Sequence, residues 1–511
     1  GVELSPDAPF SIIVGGKVPE PLQALVKKER YPNQASVIRI TDREIHVTSP
    51  GGRGLGKAVY TFLDRLGVRW YIPGKWGEVL PDGRMELSKG SFVEGPDFLF
   101  RSFYWGKSDS YPDMAKDYQR WYLRMRMDNE FGFSGHSYSE QIAPPHKYAS
   151  DHPEYYSLIG GERIAPPQTY KRYIHQLCVS NKEVQQLAID FARRRFKQSD
   201  LHRFASISPN DGGPFCQCGP CREIGGDVEQ TVFLANVVAR AVRDEYPDRW
   251  VAFYAYSGHL LPPKGMKLEP NVVPYIVNSL HEVGQAEWKY WSAPIRKTGL
   301  AKVITAWATS GGRTALRFNW GLNGGGVEMA GFFYPYSWVS NLQDDFRFFL
   351  ENKGVGVMAE SESSFIHQGW LNYWAARLGW NVNLDVESEE AALYQRFYGP
   401  VAGTAKEALQ RIQNQQDLAR PLLIVRLQKH VGLLKDAIAG LPDNVFRVRS
   451  SHLLHYLQFL LARERYYDGK ESLTVVLSSL KQILKDRSHA LNTRTYFYPI
   501  PKRSFQEFVR V

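Results

Sequence analysis

No stretch of the 511 residues approaches the ~20 consecutive apolar residues that a membrane-spanning helix needs, so no membrane span is expected. The opening GVELSPDAPF has neither a basic start nor an apolar core and does not read as a secretory signal. The expectation is an exported protein, secreted or periplasmic, whose signal has been removed. Basic tails, Lys/Arg-rich blocks, zinc-finger spacings and aromatic RNA-binding signatures are all missing. Nucleic acid is therefore not expected as a partner, although 63 Lys+Arg against 53 Asp+Glu leave a net charge of +10. The run GGRGLG lacks the acidic ribose-binding residue and the βαβ context of a dinucleotide site, and no cofactor is expected. Internal repeats and low-complexity tracts are absent, and cysteine is scarce. What remains, 43% hydrophobic and 13% aromatic residues, is the composition of a packed chain of about two or three domains.

The patterning divides the chain in three. Residues 1–95 alternate short β-like runs (FSIIVGG, ASVIRI, EIHVTSP) with one helix in KAVYTFLDRLGV, where Val59, Phe62 and Leu66 recur at helical spacing. They read as a small N-terminal α/β domain. Residues 96–383 repeat strand, loop and helix. The candidate strands are Phe98 to Trp105, Met125 to Ser134, Phe204 to Asn210, Trp250 to Tyr256, Val272 to Asn278, Lys302 to Trp307, Met329 to Tyr334 and Val355 to Glu360. Eight strands separated by helices predict an α/β fold of the (β/α)8 TIM-barrel type. Residues 384–511 carry only amphipathic helical patterns and read as a C-terminal α-helical domain.

The four cysteines are Cys178, Cys216, Cys218 and Cys221, three of them inside FCQCGPC. Such crowding suits structural disulfides in an exported chain, the favoured reading. A four-thiolate zinc site and free thiols stay open beside it. In either bonded form the cysteines would brace the loop that follows Asn210 and Asp211.

In a barrel of this kind the reacting groups lie where the strands run out at their C-terminal ends. Those positions collect polar, aromatic and titratable residues. Cleavage of a glycosidic bond needs a proton donor for the leaving oxygen and a base or nucleophile at the anomeric carbon. His136, Asp211 and Glu360 are the candidates for those roles. Trp105, Asn210, Tyr254, Tyr256, Asn278, His281, Trp307, Tyr334 and Glu362 are the candidate substrate contacts. Arg101, in the opening strand, is the candidate for a bidentate grip on a sugar carboxylate. No metal is assigned to the reaction.

The run GKAVYTFLDRLGVRWYIPGKWGEVLP resembles the small domain that precedes the barrel in the family 67 α-glucuronidases and in several hexosaminidase families. The stretches HPEYYSL, QLCVSNKEV and SISPNDGGPFCQCGPC resemble the bacterial domain family of unknown function numbered 4838. Together the two resemblances span residues from about 45 to 380 and imply a glycoside-hydrolase barrel. A looser similarity is to the inverting sialidases of family 156, in which a His acts as acid and an Asp as base; it implies such a pair for His136 and a strand-end Asp. The expected function is that of an exo-acting, inverting glycoside hydrolase that removes an acidic sugar, sialic or uronic, from an anionic glycan. A neutral-sugar or hexosaminide glycosidase and a non-catalytic glycan-binding barrel are the alternatives.

Overall fold

A computed structural model describes residues 11–81, 83, 88–105, 112–127, 135–163, 176–200, 202–278, 295–319, 339–361, 370–413 and 419–486. The N-terminal part is a four-stranded sheet of β1 (Ser11–Val14), β2 (Ser36–Ile40), β3 (Glu44–Thr48) and β4 (Gly90–Glu94), ordered β1-β3-β2-β4. Helix α1 (Glu20–Val26) and helix α2 (Gly54–Arg65) cover it. The helix expected here forms. Its buried line runs through Lys57, Ala58 and Thr61, while Val59 and Phe62 pack half-buried on the sheet.

The central part is a six-stranded, all-parallel sheet. Its strands are β5 (Phe100–Trp105), β6 (Phe204–Ser206), β7 (Trp250–Ala255), β8 (Val272–Asn278), β9 (Thr314–Asn319) and β10 (Gly354–Ser361), in spatial order β6-β7-β8-β9-β10-β5. Period-2 alternation builds two different faces. Ala252, Tyr254, Val273, Tyr275, Val277, Ala315, Val355 and Met358 join Phe100 and Phe204 in one buried cluster. Phe253, Ile276, Leu316, Phe318 and Val357 enter the larger core shared with the helices. Phe100 and Phe204 stand on the two edge strands, yet their ring centroids are 4.4 Å apart. The sheet is therefore rolled until its edges meet through side chains. Beyond β6 a parallel bridge between His136 and Ser208 adds one more rung to that edge.

Not every expected barrel strand is present. Lys302 to Trp307 is helical, lying within helix α3 (Gly299–Thr309), where Leu300, Val303, Ile304 and Trp307 form the buried stripe. The strand of that unit is β9, which begins at Thr314. Met125 to Met127 close a helix, Pro112–Arg124, through bonds back to Trp121 and Tyr122, and Arg126 takes a left-handed φ of 58°. The rest of that expected strand, and Met329 to Tyr334, lie outside the described residues. The strands β9 and β10 that flank Met329 to Tyr334 in sequence pair with each other directly. The connection from β7 to β8 carries a single 3-10 turn, Ser257–His259, in place of a helix. The sheet is thus a rolled parallel array of fewer described strands than the eight expected.

Among the described residues six α-helices, from Leu371–Trp380 to Leu473–Lys485, follow the sheet. Their apolar faces, with Leu393, Phe397, Leu427, Leu453 and Leu460, belong to the same core as the sheet's outer face. Charged side chains bolt the parts together. Asp64 of α2 pairs with Arg377 and with Arg69 at 3.0 Å, and Arg69 and Arg377 both reach Glu389 at the start of the helical array. Burial opposes ionisation of Asp64. Arg377, Arg126 and Arg69 overcome it and hold the carboxyl well below the ordinary carboxylate range.

Candidate active site

The site is built where β6 and β7 run out. After Ser206 the chain stays in register for two residues, and the Ile207 amide donates to the Ala252 carbonyl at 2.7 Å. Serines then tie this edge to the segment entering at His136. The Ser206 hydroxyl donates to the Gly135 carbonyl at 2.6 Å, and the Ser137 amide donates to the Ser208 carbonyl at 3.1 Å. The Ser208 hydroxyl in turn accepts from the Tyr254 amide at 3.0 Å. The ends of β6 and β7 and the segment at His136 are fixed by one short network.

His136 is half-buried at this edge, its ring edge-on to Tyr254 (centroids 5.4 Å apart) and Tyr256 (6.1 Å). Its Nδ1 lies 2.6 Å from the Pro209 carbonyl oxygen. A carbonyl can only accept, so Nδ1 carries the proton and Nε2 of the neutral ring is left as the acceptor. Burial pushes the pKa of His136 below the ordinary histidine value. The Pro209 bond and Asp211 pull it back, and Arg317 adds to the fall.

Asp211 sits on the exposed tip of the next loop, and its Oδ1 accepts from the Tyr256 hydroxyl at 2.8 Å. The loop beneath it is tightly made. Asn210, buried, accepts at Oδ1 from the Ser139 amide (3.1 Å) and hydroxyl (2.8 Å). Gln176 spans the loop from below, accepting from the Asn210 amide at 2.9 Å and donating to the carbonyls of Asn210 (3.0 Å) and Gly212 (2.6 Å). Gly212 and Gly213 both take positive φ, 90° and 81°, a turn that side-chain-bearing residues adopt only with strain.

His136, Asp211, Asn210, Tyr254 and Tyr256 are thus brought together, as their strand-end positions imply. Glu360 ends β10 beside its register partners Asn319 and Tyr104. Trp105 closes β5 and Asn278 closes β8. The side chains of these three, and His281, Tyr334 and Glu362 altogether, lie outside the described residues. Two assignments are corrected. Trp307 is on helix α3, fully buried, with its Nε1 donating to the Leu260 carbonyl at 2.8 Å; it lines no strand end. Arg101 is also fully buried, at the beginning of β5 and on its outer face. It donates to the carbonyls of Phe98 and Arg126 and to Gln34 of the N-terminal part, and lies over the Trp380 ring. Such a guanidinium is a structural bolt with no path to the mouth.

The sequence reading missed two residues here. Arg317 lies on β9, two positions beyond inward-facing Ala315, and its Cζ is 4.7 Å from the centroid of the Tyr254 ring. It places a cation on the inner side of the sheet, close enough to His136 to influence its titration. TALRFN carries the signal, because Arg317 shares alternation with Ala315 once the strand is correctly placed. His259 packs behind Tyr256 at 4.8 Å, and burial, aided by His136, pushes its pKa down to about 4. It follows Tyr256 by three residues in YSGH.

Known proteins agree with this architecture. The profile of the domain of unknown function DUF4838 matches residues 72–410. The chain belongs to the DUF4838 family. No curated protein matches it in sequence. Among solved structures, a family GH115 4-O-methyl-α-glucuronidase with specificity for decorated arabinogalactans superposes with a TM-score of 0.57 at 11% identity, covering 94% of this chain and 70% of that one. A Clostridium perfringens GH89 enzyme, solved with its substrate GlcNAc-α-1,4-galactose, gives a TM-score of 0.50 at 10% identity, covering 94% of this chain and 62% of that one. At such identities the likeness is one of fold. This DUF4838 chain therefore has the fold of proteins that are themselves glycoside hydrolases.

Proposed function

We propose that this protein is an exo-acting glycoside hydrolase that removes an acidic sugar from glycans, with the sheet mouth around His136, Asp211 and Arg317 as its reaction site. The observation that carries the reading is the grouping of a neutral imidazole and a carboxyl beside the end of β6, tyrosines of β7 and its following turn, and a guanidinium on the inner face of β9 in a rolled parallel sheet. In the proposed reaction Arg317 receives the sugar carboxylate, a planar group that a guanidinium can hold through two parallel hydrogen bonds. Tyr256 offers a flat face to the ring.

Hydrolysis needs one group to give a proton to the leaving oxygen and another to take one from water. His136, held neutral with Nε2 as acceptor, suits the accepting role. This reverses the roles that the family 156 resemblance implies. Asp211, oriented by Tyr256, and Glu360, at the end of β10, are the carboxyls proposed for the remaining work. An inverting enzyme would hold its two groups about 6.5 to 9.5 Å apart, leaving room for the water.

A panel of aryl glycosides tests the reading, with sialosides and glucuronides each set beside an uncharged counterpart. The expected result is release of the aryl group from an acidic member, at higher kcat/KM than from its neutral partner. Equal cleavage of neutral members would favour the neutral-sugar or hexosaminide reading. Binding without turnover across the panel would leave a glycan-binding barrel.

A further inference from the structure

Below the Asp211 loop, all four cysteines of the chain converge. Cys178, Cys216, Cys218 and Cys221 are buried, and their sulfurs all lie within 4.8 Å of one another. The Cys178 sulfur is 3.7 Å from that of Cys218 and 3.9 Å from that of Cys221. The disulfides favoured from the sequence are not formed, since a bonded pair would stand at about 2.05 Å. Nor would pairwise bridges draw four sulfurs to a common centre. Four thiolates around tetrahedral zinc, each with a Zn–S bond of about 2.3 Å, must lie about 3.8 Å apart along the edges of the tetrahedron. The two separations from Cys178, 3.7 and 3.9 Å, match that edge, and all four sulfurs lie within 4.8 Å of one another. An iron–sulfur cluster would spread the same ligands around a larger inorganic core.

The surroundings suit a centre that carries excess negative charge. The Leu158 amide donates to the Cys216 sulfur at 3.3 Å, and Arg163 Nη1 approaches the same sulfur at 4.0 Å. The Ser180 hydroxyl lies 3.1 Å from Cys221 and 3.5 Å from both Cys178 and Cys218. Hydrogen bonds of this sort around the sulfurs orient metal-bound thiolates and spread their charge. No ligand is a carboxylate or imidazole, and no ligand position is left open, so the centre is closed and non-reacting in the manner of structural zinc.

From this geometry we propose that Cys178, Cys216, Cys218 and Cys221 bind one structural zinc ion, the alternative that the sequence left open beside disulfides. In the binding step Zn²⁺ displaces the thiol protons to solvent, and four Zn–S bonds form with no change of oxidation state. The centre is a positioning device. Cys178 follows Gln176 by two residues, and Cys216 follows Asp211 by five, so the ion would clip together the two loops that Gln176 joins by hydrogen bonds beneath Asp211.

The test is elemental analysis of the full-length protein, purified with reductant and without chelator, with thiols counted in parallel. One zinc per chain is expected. Addition of a mercurial reagent should release that zinc stoichiometrically, with four thiols reacting. Cys178→Ser and Cys221→Ser should each lose the metal. Should either variant fail to fold, growth of the wild-type protein on cobalt keeps the proposal open to refutation, because a four-thiolate site must show intense sulfur-to-cobalt charge transfer and tetrahedral d–d bands. Three results would overturn the proposal: iron in place of zinc, an unreduced mass showing disulfides in metal-free protein, or zinc retained at one per chain in both serine variants. Metal content is read independently of turnover, so the glycosidase reading can fail while this one stands, and the reverse.

Discussion

At the residue scale, the proposed reaction depends on which groups are charged at the sheet mouth. His136 is buried enough that its neutral form is favoured, and its folded pKa lies below the ordinary value of about 6.5. A base must be unprotonated to act. Activity should therefore persist as pH falls through about 6.5 and decline only lower, so the acid limb of kcat/KM should lie below that ordinary histidine value. A pH–rate profile of the wild-type protein checks this, and an acid limb above 7 would exclude His136 as the base. Arg317→Lys keeps the charge but loses the paired donors. It should lower kcat/KM for an acidic glycoside about 10- to 100-fold while leaving the neutral analogue within a few-fold, as expected for one charge-assisted hydrogen bond. Matched kinetics on the two substrates decide it. Arg101 shows why sequence alone misdirected this choice. A strand arginine can face either side of the sheet, and only the pairing reveals that Arg101 has the outer face and Arg317 the position two along from inward Ala315.

At the element scale, the legible strands were those whose alternation is unambiguous. Val272–Asn278 was read to the residue because Val273, Tyr275 and Val277 alternate with outward residues and turns bound both ends. Lys302 to Trp307 was misread because KVITAW is rich in β-branched residues. Its helical stripe, Leu300, Val303, Ile304 and Trp307, becomes visible only when the window begins earlier and tertiary burial decides against propensity. The pairing of β9 with β10 is a long-range fact with no local signature. The Asp211 loop was legible as a place but not as a structure, since its brace, Gln176, lies 34 residues from Asn210. Its two positive-φ glycines give this element its own prediction. Gly212→Ala meets no neighbouring atom, so its cost is backbone strain alone, about 1 to 3 kcal/mol. The variant should show a lower melting temperature and a reduced kcat as Asp211 shifts, with KM for the sugar little changed. An unaltered Tm would show that the loop does not need its left-handed turn.

For the whole molecule, the decisive contacts are the buried ion pairs where its three parts meet. Asp64→Asn would leave Arg377 and Arg126, both largely buried, without their shared carboxylate, at an expected cost of about 3 to 5 kcal/mol in denaturant unfolding. The pH dependence follows from the shifts. A carboxyl held below its ordinary range contributes stability at pH values above about 4 and loses it as pH falls further. His259 and His452, both pushed down to about 4 by burial, are neutral in the fold. The unfolded chain takes up their protons first, so stability should already decline between about pH 6.5 and 4. Asp64→Asn should flatten the loss below about pH 4 and leave the higher window unchanged. Arg377 lies 313 residues from Asp64 in sequence, which is why the junction they form has no local signature.

The measurement that bears most directly on the central claim is the kcat of Asp211→Asn on whichever aryl glycoside the wild-type protein cleaves best. The substitution keeps the size of the side chain and its capacity to accept from Tyr256 while removing the charge and the exchangeable proton. If the mouth around His136, Asp211 and Arg317 is the hydrolytic site, kcat should fall by about 10² or more with KM nearly constant. A kcat within a few-fold of wild type, in a variant with unchanged Tm, would contradict the assignment and move the chemistry elsewhere in the fold.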